Sequence, residues 1–419
     1  MNACGAILRG TYRRLYRTPD RLRRGAARYN AKIVIQLASH ASPDLFAAAF
    51  RFAERQLRAL ISRHPDFYPM YTAAGRWHHS GDAWTHWCDG FLPGMLWIVY
   101  ARQTPASPES RWWREQSIRY SRPLQPRMLD RTVHDLGFLF MSTYHRWYGF
   151  TPDPTLKAVL VEAGRTMALR FQPKGQYLHS FVSPDSLFID IMMNVGIVFL
   201  AAHETGDPPL WDIAFDHCHT TRRVLVRGDG STAHEGLFDP ASGEFLKQTT
   251  HQGYCGDSCW SRGLAWALYG FGTAYTYHPD PGLLATAQAC ADFYIRHTPP
   301  DGVPPWDYDA PPQTPAQPDT SAAAIAASGL FQLSALATDG ARGHLYRQTA
   351  RHILGTLCRD WLAESDPQWE GILKGGVYHM HKNLGVNESV MWGDYFFLEA
   401  LERASAPEPR PEESGFGPA

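Results

Sequence analysis

One acidic residue stands inside the most apolar run of the chain. Asp190 lies within residues 188–200, where Phe, Ile, Met, Val and Leu occupy most positions. Loss of hydration disfavours the charged form of a carboxyl group and raises its pKa, and a carboxyl with a raised pKa is suited to general acid catalysis near neutral pH. Asp190 therefore has two interpretations, a proton donor or a structural residue that caps a helix or pairs with an arginine.

Further residues that could do chemistry stand at the starts of the other apolar segments. They are Trp87 and Asp89, His134 and Asp135, Asn194, and His251, Gln252, Asp257, Arg262 and Trp266. Two neighbouring carboxylates repel each other, so one of them is expected to hold a proton while the other stays charged. An inward-facing Arg262 suits an anionic ligand, because its planar fork pairs with a carboxylate.

Simpler explanations stand beside these. Asp135 could cap its helix, which is the usual role of an Asp at a helix start. Arg262 could have no role other than to neutralise the charge of Asp257. The His pairs of residues 217–219 and 379–381 lack an H-E-x-x-H motif and paired thiolates, so they are interpreted as surface histidines. We therefore expect no metal site and no cofactor, and the absence of G-x-S-x-G gives no support to a Ser nucleophile.

The elements that must position these residues follow one alternating pattern. Six segments are nearly all apolar and are predicted to be buried helices: 90–97 and onward, 135–140 and onward, 190–202, 261–275, 321–336 and 394–401. Six amphipathic helices alternate with them: 43–62, 109–120, 154–171, 208–226, 281–297 and 343–362. Strand signals are few and short. The pattern predicts an all-α fold, an (α/α)6 barrel or toroid of six helical hairpins, whose ligand lies where the inner helices converge.

Bulk properties bound the domain organisation and the location. A single catalytic domain is expected over residues 1–404, with a basic N-terminal arm over about 1–40 and a disordered tail over 405–419. The formal net charge of -1 argues against nucleic acid as a partner, and no apolar run is long enough to span a membrane. Seven scattered Cys residues without a C-x-x-C pair, and no secretory apolar segment, favour reduced thiols and a cytoplasmic protein.

Several long motifs resemble those of one enzyme family, in the same order along the chain. They are residues 87–97, 134–138, 189–194, 251–254, 257–266, 319–325 and 393–401. In these motifs the chain resembles the unsaturated glucuronyl hydrolases of glycoside hydrolase family 88, from about residue 84 to residue 401.

The resemblance implies an unusual hydrolysis. Family members act on oligosaccharides that polysaccharide lyases leave with a 4,5-unsaturated uronic acid at the non-reducing end. Protonation at C4 and addition of water at C5 give a hemiketal, which opens and expels the rest of the sugar. The resemblance makes Asp190 the general acid and base and Asp135 its essential partner.

The same motif matching implies the substrate contacts. The residues at the family's binding positions are Trp87, His134, His234, Gln252, Arg262 and Trp266, and the two tryptophans are expected to stack on sugar rings. Relatives often carry a Trp where this chain has residues 180–182, Ser-Phe-Val, so stacking there is expected to differ. The implied partner is a di- or oligosaccharide ending in an unsaturated uronate, and the oligomeric state stays open.

Four alternatives remain from the sequence. An unsaturated rhamnogalacturonyl hydrolase would use the same chemistry on a pectin-derived substrate, although residues 192–194 and 257–260 favour the glucuronyl branch. A sugar epimerase or isomerase would use His residues beside a carbonyl, and a conventional glycosidase would place two carboxylates around the scissile bond. A toroid that binds carbohydrate without catalysis remains if Asp190 is structural.

Overall fold

The structure is a computed structural model that describes residues 42–78, 85–312 and 317–405. The basic arm expected over about 1–40 lies outside these residues, as does the expected tail apart from its first residue. The single domain over residues 1–404 therefore stays a prediction. Within the described ranges, no helix is long and apolar enough to cross a membrane.

Six buried helical segments form the inner ring, as the apolar pattern predicts. They are α2 (Phe91–Ala101), α4 with α5 (Leu136–Phe140 and Tyr144–Phe150), α7 with α8 (Ile191–Asn194 and Gly196–Thr205), α10 (Ser261–Tyr277), α12 (Thr320–Leu336) and α14 (Met391–Ala404). Nearly every side chain in the first half of each segment is buried, because these helices have neighbours on most sides. Two of the six are interrupted, and the interruptions lie in the segments that carry Asp135 and Asp190.

Six amphipathic helices form the outer ring. They are α1 (Pro43–Arg63), α3 (Pro108–Ser121), α6 (Pro154–Ala168), α9 (Pro208–Leu225), α11 (Pro281–His297) and α13 (Gly340–Thr356). Five begin with Pro, whose missing N–H costs nothing in the first turn. Side chains such as Ser42, Ser107 and Asp280 accept hydrogen bonds from the first backbone amides. The alternation of inner and outer helices confirms the (α/α)6 barrel.

The strands are short and lie in the connections between helices. They are β1 (Thr72–Ala73), β2 (Arg76–Trp77), β3 (Phe171–Gln172), β4 (Tyr177–Leu178), β5 (Ser186–Phe188), β6 (Glu235–Phe238), β7 (Phe245–Thr249), β8 (Gly376–His379) and β9 (Leu384–Glu388). The largest sheet in the described residues has the order β5-β6-β7 and is antiparallel. In it Phe188 pairs with Glu235, and the amide of Ile189 extends the ladder by donating to the His234 carbonyl at 2.9 Å. Asp190 follows this ladder directly.

Close contact between inner helices fixes their mutual position. A Cβ atom at Gly137 would overlap the backbone of Asn194, so only glycine permits α4 and α7 to approach this closely. A Cβ atom at Gly270 would likewise lie 2.5 Å from the carbonyl oxygen of Met192. These contacts bring α4, α7 and α10, which carry or follow most of the predicted site residues, into one cluster.

Candidate active site

A cavity of about 250 Å³ opens where the inner helices begin. Seven of the eight residues predicted to bind or convert the substrate line it: Trp87, His134, Asp135, Asp190, Gln252, Arg262 and Trp266. They come from sequence positions far apart, and the ring of helices brings their starts together. The eighth residue, His234, does not line the cavity.

His134 lies beside both predicted catalytic carboxylates. Its Nε2 is 3.4 Å from Asp135 Oδ1 and 3.7 Å from Asp190 Oδ1. Its Nδ1 accepts a hydrogen bond of 2.9 Å from the backbone N–H of Phe181, so the ring carries a proton on Nε2, the nitrogen that faces the carboxylates. His134, Asp135 and Asp190 therefore form one coupled cluster.

The members of the cluster change each other's pKa. Burial raises the pKa of Asp135 to about 6, and the charge of Asp190 adds to this rise while His134 opposes it. Burial also favours a neutral Asp190, but the positive charge of His134, 3.7 Å away, holds the pKa of Asp190 below its ordinary value. Burial works to lower the pKa of His134, yet the two carboxylates raise it overall. The raised pKa predicted for Asp190 is wrong, because the imidazole stabilises its charged form; Asp135 has the raised pKa.

Neither carboxylate acts as a helix cap. Asp135 and Asp190 occupy the N-cap positions of α4 and α7, but neither side chain accepts a hydrogen bond from the helix backbone. Asp190 Oδ1 is buried and has no hydrogen-bond partner among the described residues. An unsatisfied buried oxygen costs free energy unless another group binds it. The capping interpretation is therefore excluded, and Asp190 keeps a buried, uncompensated carboxylate oxygen beside His134.

Arg262 is held by the protein rather than presented to a ligand. Its NH2 group donates to Gln252 Oε1 and, at 2.9 Å, to the Tyr378 carbonyl, while NH1 donates to the Val377 carbonyl and lies 3.5 Å from Asp319 Oδ2. The guanidinium group that was predicted to pair with a substrate carboxylate is thus already bonded to groups of the protein. Arg262 instead orients Gln252 and strand β8 at the cavity wall.

The acidic neighbour of Arg262 also differs from the prediction. Asp319, which is fully buried at the start of α12, pairs with the guanidinium. Asp257 is exposed, and its carboxylate accepts from the nearby Cys255 thiol. The two aspartates could not be distinguished by sequence distance, because Asp319 reaches Arg262 only through the packing of α12 against α10.

The two predicted stacking tryptophans have different surroundings. Trp87 is only partly buried, and its ring lies 4.7 Å from Trp392 and 5.5 Å from Phe138, measured between centroids. Trp266 is 1% exposed and packs 5.0 Å from Phe138 and 5.3 Å from Phe396. Trp87 can offer a ring face to a sugar, whereas Trp266 mainly forms the apolar base of the cavity.

His234 supports the cavity wall from behind. Its Nδ1 accepts from the backbone amides of His251 at 3.1 Å and Gln252 at 3.3 Å, and its ring packs 4.7 Å from Trp260. Burial lowers its pKa to about 4, so the ring is neutral at physiological pH. His234 lies beneath the loop that carries Gln252 and outside the cavity lining, so the direct substrate contact implied by the family motif stays a prediction.

Several cavity residues were missing from the predicted site. They are Thr85, Phe138, Phe181, Val182, Phe188, His251, Trp260, Tyr378, His379 and Lys382. Those of residues 378–382 lie far along the chain from the other motifs, on β8 and the short 3₁₀ turn Met380–Lys382. The sequence had already named His251 among the residues that could do chemistry, although not as a substrate contact, and His379 as a member of the His pair of residues 379–381.

Asn194 and Arg170 hold the cluster in place without lining the cavity. Asn194, predicted to point at the ligand, is fully buried; its Oδ1 accepts from the Phe138 amide at 2.8 Å and its Nδ2 donates to the Asp190 carbonyl at 3.1 Å. Arg170 donates to four backbone carbonyl groups, those of residues 131, 133, 179 and 180. Arg170 thereby joins the segment before His134 to the segment before Phe181.

The histidine pairs considered as metal ligands have other roles. His217 and His379 are buried, so the interpretation as surface histidines is wrong for these two. His217 Nδ1 accepts from the Leu178 amide at 3.1 Å, and burial lowers its pKa to about 3. No group of three or more His, Cys, Asp or Glu side chains in the described part of the chain could hold a metal ion. The six Cys residues described there are free thiols.

Comparisons with known proteins point to one enzyme family. The family model for Glycosyl Hydrolase Family 88 matches residues 61–294. The chain is 31% identical over 330 residues to an unsaturated glucuronyl hydrolase of Bacillus sp. (strain GL1), a match that covers 76% of this chain and 86% of the relative.

Solved structures show the same similarity. An unsaturated glucuronyl hydrolase specific for heparin has a TM-score of 0.79 and 29% identity, with 87% of this chain and 98% of that chain covered. A variant of the Streptococcus agalactiae unsaturated glucuronyl hydrolase, complexed with dGlcA-GalNAc6S, has a TM-score of 0.74 and 26% identity, with 89% of this chain and 94% of that chain covered.

Proposed function

Because this chain belongs to glycosyl hydrolase family 88, we propose that the cluster of His134, Asp135 and Asp190 hydrates the C4=C5 double bond of an unsaturated uronic acid. The chain is a hydrolase of the unsaturated glucuronyl type, and it removes this sugar from the non-reducing end of oligosaccharides. The observation that supports the residue assignment is Asp190, which lines the cavity and has a buried carboxylate oxygen, Oδ1, without a hydrogen-bond partner among the described residues.

Placement of the substrate comes first. The carboxylate of the uronic acid needs a positive charge or hydrogen-bond donors. The guanidinium group of Arg262 already donates to Gln252 and Tyr378, so other residues must supply them. His251 lines the cavity, and its Nε2 forms a hydrogen bond of 3.2 Å with Glu235. This hydrogen bond raises the pKa of His251, which favours the charged imidazolium form. Lys382 lies at the same rim. We assign the uronate carboxylate to this side of the cavity, with Gln252 contacting sugar hydroxyls and Trp87 stacking on a ring.

Proton transfer then uses the coupled cluster. A bound uronate adds negative charge and excludes water near Asp190, and both effects raise the proton affinity of that carboxyl. A proton from the cluster reaches C4 through the Asp190 carboxyl group, and the double-bond electrons form the new C–H bond. Water adds to the resulting cation at C5, and Asp190 accepts a proton from it. The hemiketal opens and releases the remaining sugar.

Geometry disfavours the other enzyme classes. A conventional glycosidase sets two carboxylates on either side of the scissile bond, about 5–10 Å apart. Here both carboxylates approach the same imidazole nitrogen within 4 Å, so their charges are coupled through His134. An epimerase using a His pair would need two imidazoles facing one carbon. His134 instead lies beside two carboxylates, and His251, another imidazole that lines the cavity, pairs with Glu235.

The substrate class follows from the relatives. Similar proteins include an unsaturated glucuronyl hydrolase specific for heparin and a streptococcal one complexed with dGlcA-GalNAc6S. We propose a glycosaminoglycan-derived unsaturated disaccharide as the substrate of this chain. The predicted cytoplasmic location and the absence of nucleic-acid and membrane partners stay predictions.

A spectroscopic assay tests the hydration step. The conjugated enol ether of the substrate absorbs in the near ultraviolet, so the active protein should bleach this signal while it releases the leaving sugar. Asp190→Asn keeps the side-chain shape but cannot donate a carboxylic proton, so both signals should fall by a factor of about 10² or more. A panel of lyase-generated chondroitin and heparin disaccharides measures substrate preference in the same assay.

The control for this assay is a saturated glucuronide of the same linkage. Hydration requires the double bond, so the saturated compound should not be cleaved. Comparable cleavage of the saturated compound, or full activity of Asp190→Asn, would falsify the proposed chemistry. Isomerisation with the glycosidic bond intact would point to the epimerase alternative.

A further inference from the structure

A chain of hydrogen bonds runs behind the wall of the candidate active site. The amide of Val182, which lines the cavity, donates to Ser180 Oγ at 3.2 Å, and that hydroxyl donates to Ser186 Oγ at 2.7 Å. Ser186 Oγ in turn donates to Glu235 Oε1. The other carboxylate oxygen, Glu235 Oε2, lies 3.2 Å from Nε2 of His251, which lines the cavity again. Glu235 therefore links two parts of the cavity wall.

Glu235 carries a charge that the fold holds away from water. The residue is 2% exposed and does not line the cavity. A buried carboxylate costs free energy unless other groups bind it. Burial works to raise the pKa of Glu235, but the contacts with His251 and Ser186 lower it overall. The carboxylate is therefore charged near neutral pH and can stabilise a positive charge on His251.

The contact with Glu235 also decides which nitrogen of His251 carries the first proton. A carboxylate 3.2 Å from Nε2 favours a proton on that nitrogen. Nδ1 is then an acceptor in the neutral imidazole and a donor in the imidazolium ion. The His251 side chain is 49% exposed, so a ligand in the cavity can reach the ring. Protonation of His251 thus changes this part of the wall from an acceptor to a donor.

The other titratable groups around the His251 ring do not supply this effect. They are His234 of β6, His379 of β8 and Lys382 of the turn that follows β8. Burial lowers the pKa of both His234 and His379 to about 4, so these rings are neutral near pH 7. The contact with Glu235 raises the pKa of His251 above its ordinary value of 6.5, although burial and the charge of Lys382 work to lower it.

From these contacts, and resting on the hydration function proposed above, we propose that Glu235 is a positioning residue for substrate binding: it orients His251 and holds it as a cationic donor to the uronate carboxylate. A hydrogen bond between two charged groups is stronger than one between neutral groups. The substrate is therefore bound more tightly while His251 is protonated. KM should rise as the pH increases through the pKa of His251.

Replacement of Glu235 by Gln tests the role of its charge. Glu235→Gln keeps the side-chain shape and can still accept from Ser186, but it no longer stabilises the imidazolium form of His251. At pH 7, KM for an unsulfated unsaturated chondroitin disaccharide should rise about five- to tenfold while kcat changes little. Glu244→Gln, at an exposed position of the same hairpin outside the cavity lining, is the matched control and should keep both values.

A fixed positive charge at position 251 separates an effect of charge from an effect of structure. In Glu235→Gln combined with His251→Lys, the ammonium group needs no carboxylate to stay protonated, so KM at pH 7 should return to within about threefold of the wild-type value. A purely structural role of Glu235 would leave KM of the double variant as high as that of Glu235→Gln, and this result would overturn the inference.

A magnetic resonance titration of the His251 ring gives a readout that does not depend on turnover. The signal is identified by its absence from His251→Gln. The pKa of His251 should lie above 6.5 in the wild type and fall by about one unit in Glu235→Gln. A wild-type pKa at or below 6.5, or the same pKa in both proteins, would overturn the inference. A wild-type protein that does not bleach the unsaturated substrate would instead overturn the proposed function.

Discussion

Asp135 and Asp190 have different acidities although both lie beside His134. The imidazole stabilises the charge of Asp190, whereas burial dominates at Asp135 and raises its pKa to about 6. In such a coupled cluster the titration belongs to the group as a whole. The cluster can therefore hold a proton close to neutral pH even though Asp190 alone would release it.

Replacing Asp135 by Asn tests where that proton is held. The wild-type kcat/KM should decline as the pH rises through about 6, because the cluster loses its proton there. Asp135→Asn cannot titrate, so this step should disappear from the pH profile along with most of the activity. A profile with the same step in both proteins would show that Asp135 does not hold the proton.

The same variant has a stability signature with a defined sign. The pKa of Asp135 is higher in the folded chain than its ordinary value of 3.8, so protonation favours folding below about pH 4 and this contribution is lost as the pH rises to about 6. The free energy of unfolding of Asp135→Asn, taken relative to that of the wild type, should therefore be higher at pH 8 than at pH 4. Denaturant unfolding at the two pH values measures the difference.

Sequence reasoning found seven of the cavity residues but not the distribution of their charges. The motifs containing Asp135, Asp190 and Arg262 identify residue types. The pKa order depends on the backbone N–H of Phe181, which fixes the orientation of the His134 ring. The role of Arg262 likewise depends on β8, whose carbonyl groups occupy the guanidinium. Neither contact can be recognised from the sequence near His134 or Arg262.

Two very short helices carry the catalytic carboxylates, and Asn194 joins them. Its side-chain oxygen accepts a hydrogen bond from the Phe138 amide of α4, and its side-chain nitrogen donates one to the carbonyl of Asp190, the residue before α7. A one-turn helix has little stability of its own, so tertiary contacts decide its position. Asn194 is therefore a positioning residue for Asp190.

Truncation of this side chain should affect both stability and turnover. Asn194→Ala leaves the buried Phe138 amide without its acceptor, which should cost about 1–3 kcal/mol of unfolding free energy. If α7 shifts, kcat should fall while KM changes little, because Asn194 does not line the cavity. Denaturant unfolding and steady-state kinetics test the two effects. A loss of stability with unchanged kcat would assign Asn194 a purely structural role.

Sequence periodicity predicted the alternation of helices but not their interruptions. Residues 190–202 look like one continuous apolar helix, yet the structure divides them into α7 and α8. The break lies where Asn194 meets Gly137 of a neighbouring helix. Periodicity reports the burial of each residue, and it carries no information about which distant backbone approaches it.

Along the barrel axis, a layer of aromatic rings separates the candidate active site, of about 250 Å³, from a cavity of about 730 Å³ that is lined by later turns of the inner helices. Trp266, Phe138, Phe91 and Phe396 form this layer, with neighbouring centroids 5.0–5.6 Å apart. Large buried rings contribute strongly to stability because they exclude much apolar surface from water. The layer therefore both stabilises the ring of helices and separates the two ends.

Trp266 distinguishes a stabilising role from a stacking role. Trp266→Ala should lower the free energy of unfolding by about 3–5 kcal/mol, because it removes a large ring from the centre of the barrel. The milder Trp266→Phe should lose less stability and keep KM close to the wild-type value. A large increase in KM for Trp266→Phe without loss of stability would instead support the predicted stacking on sugar.

The short ladder of β5 and β6 gives the position of Asp190 an unexpected dependence on chain length. Phe188 pairs with Glu235, the Ile189 amide bonds the His234 carbonyl, and Asp190 comes next. Successive side chains of a strand point to opposite faces, so inserting or deleting one residue here would exchange those faces. An insertion or deletion in residues 186–189 would therefore displace the Asp190 side chain from the active site, although most of this protein is helical.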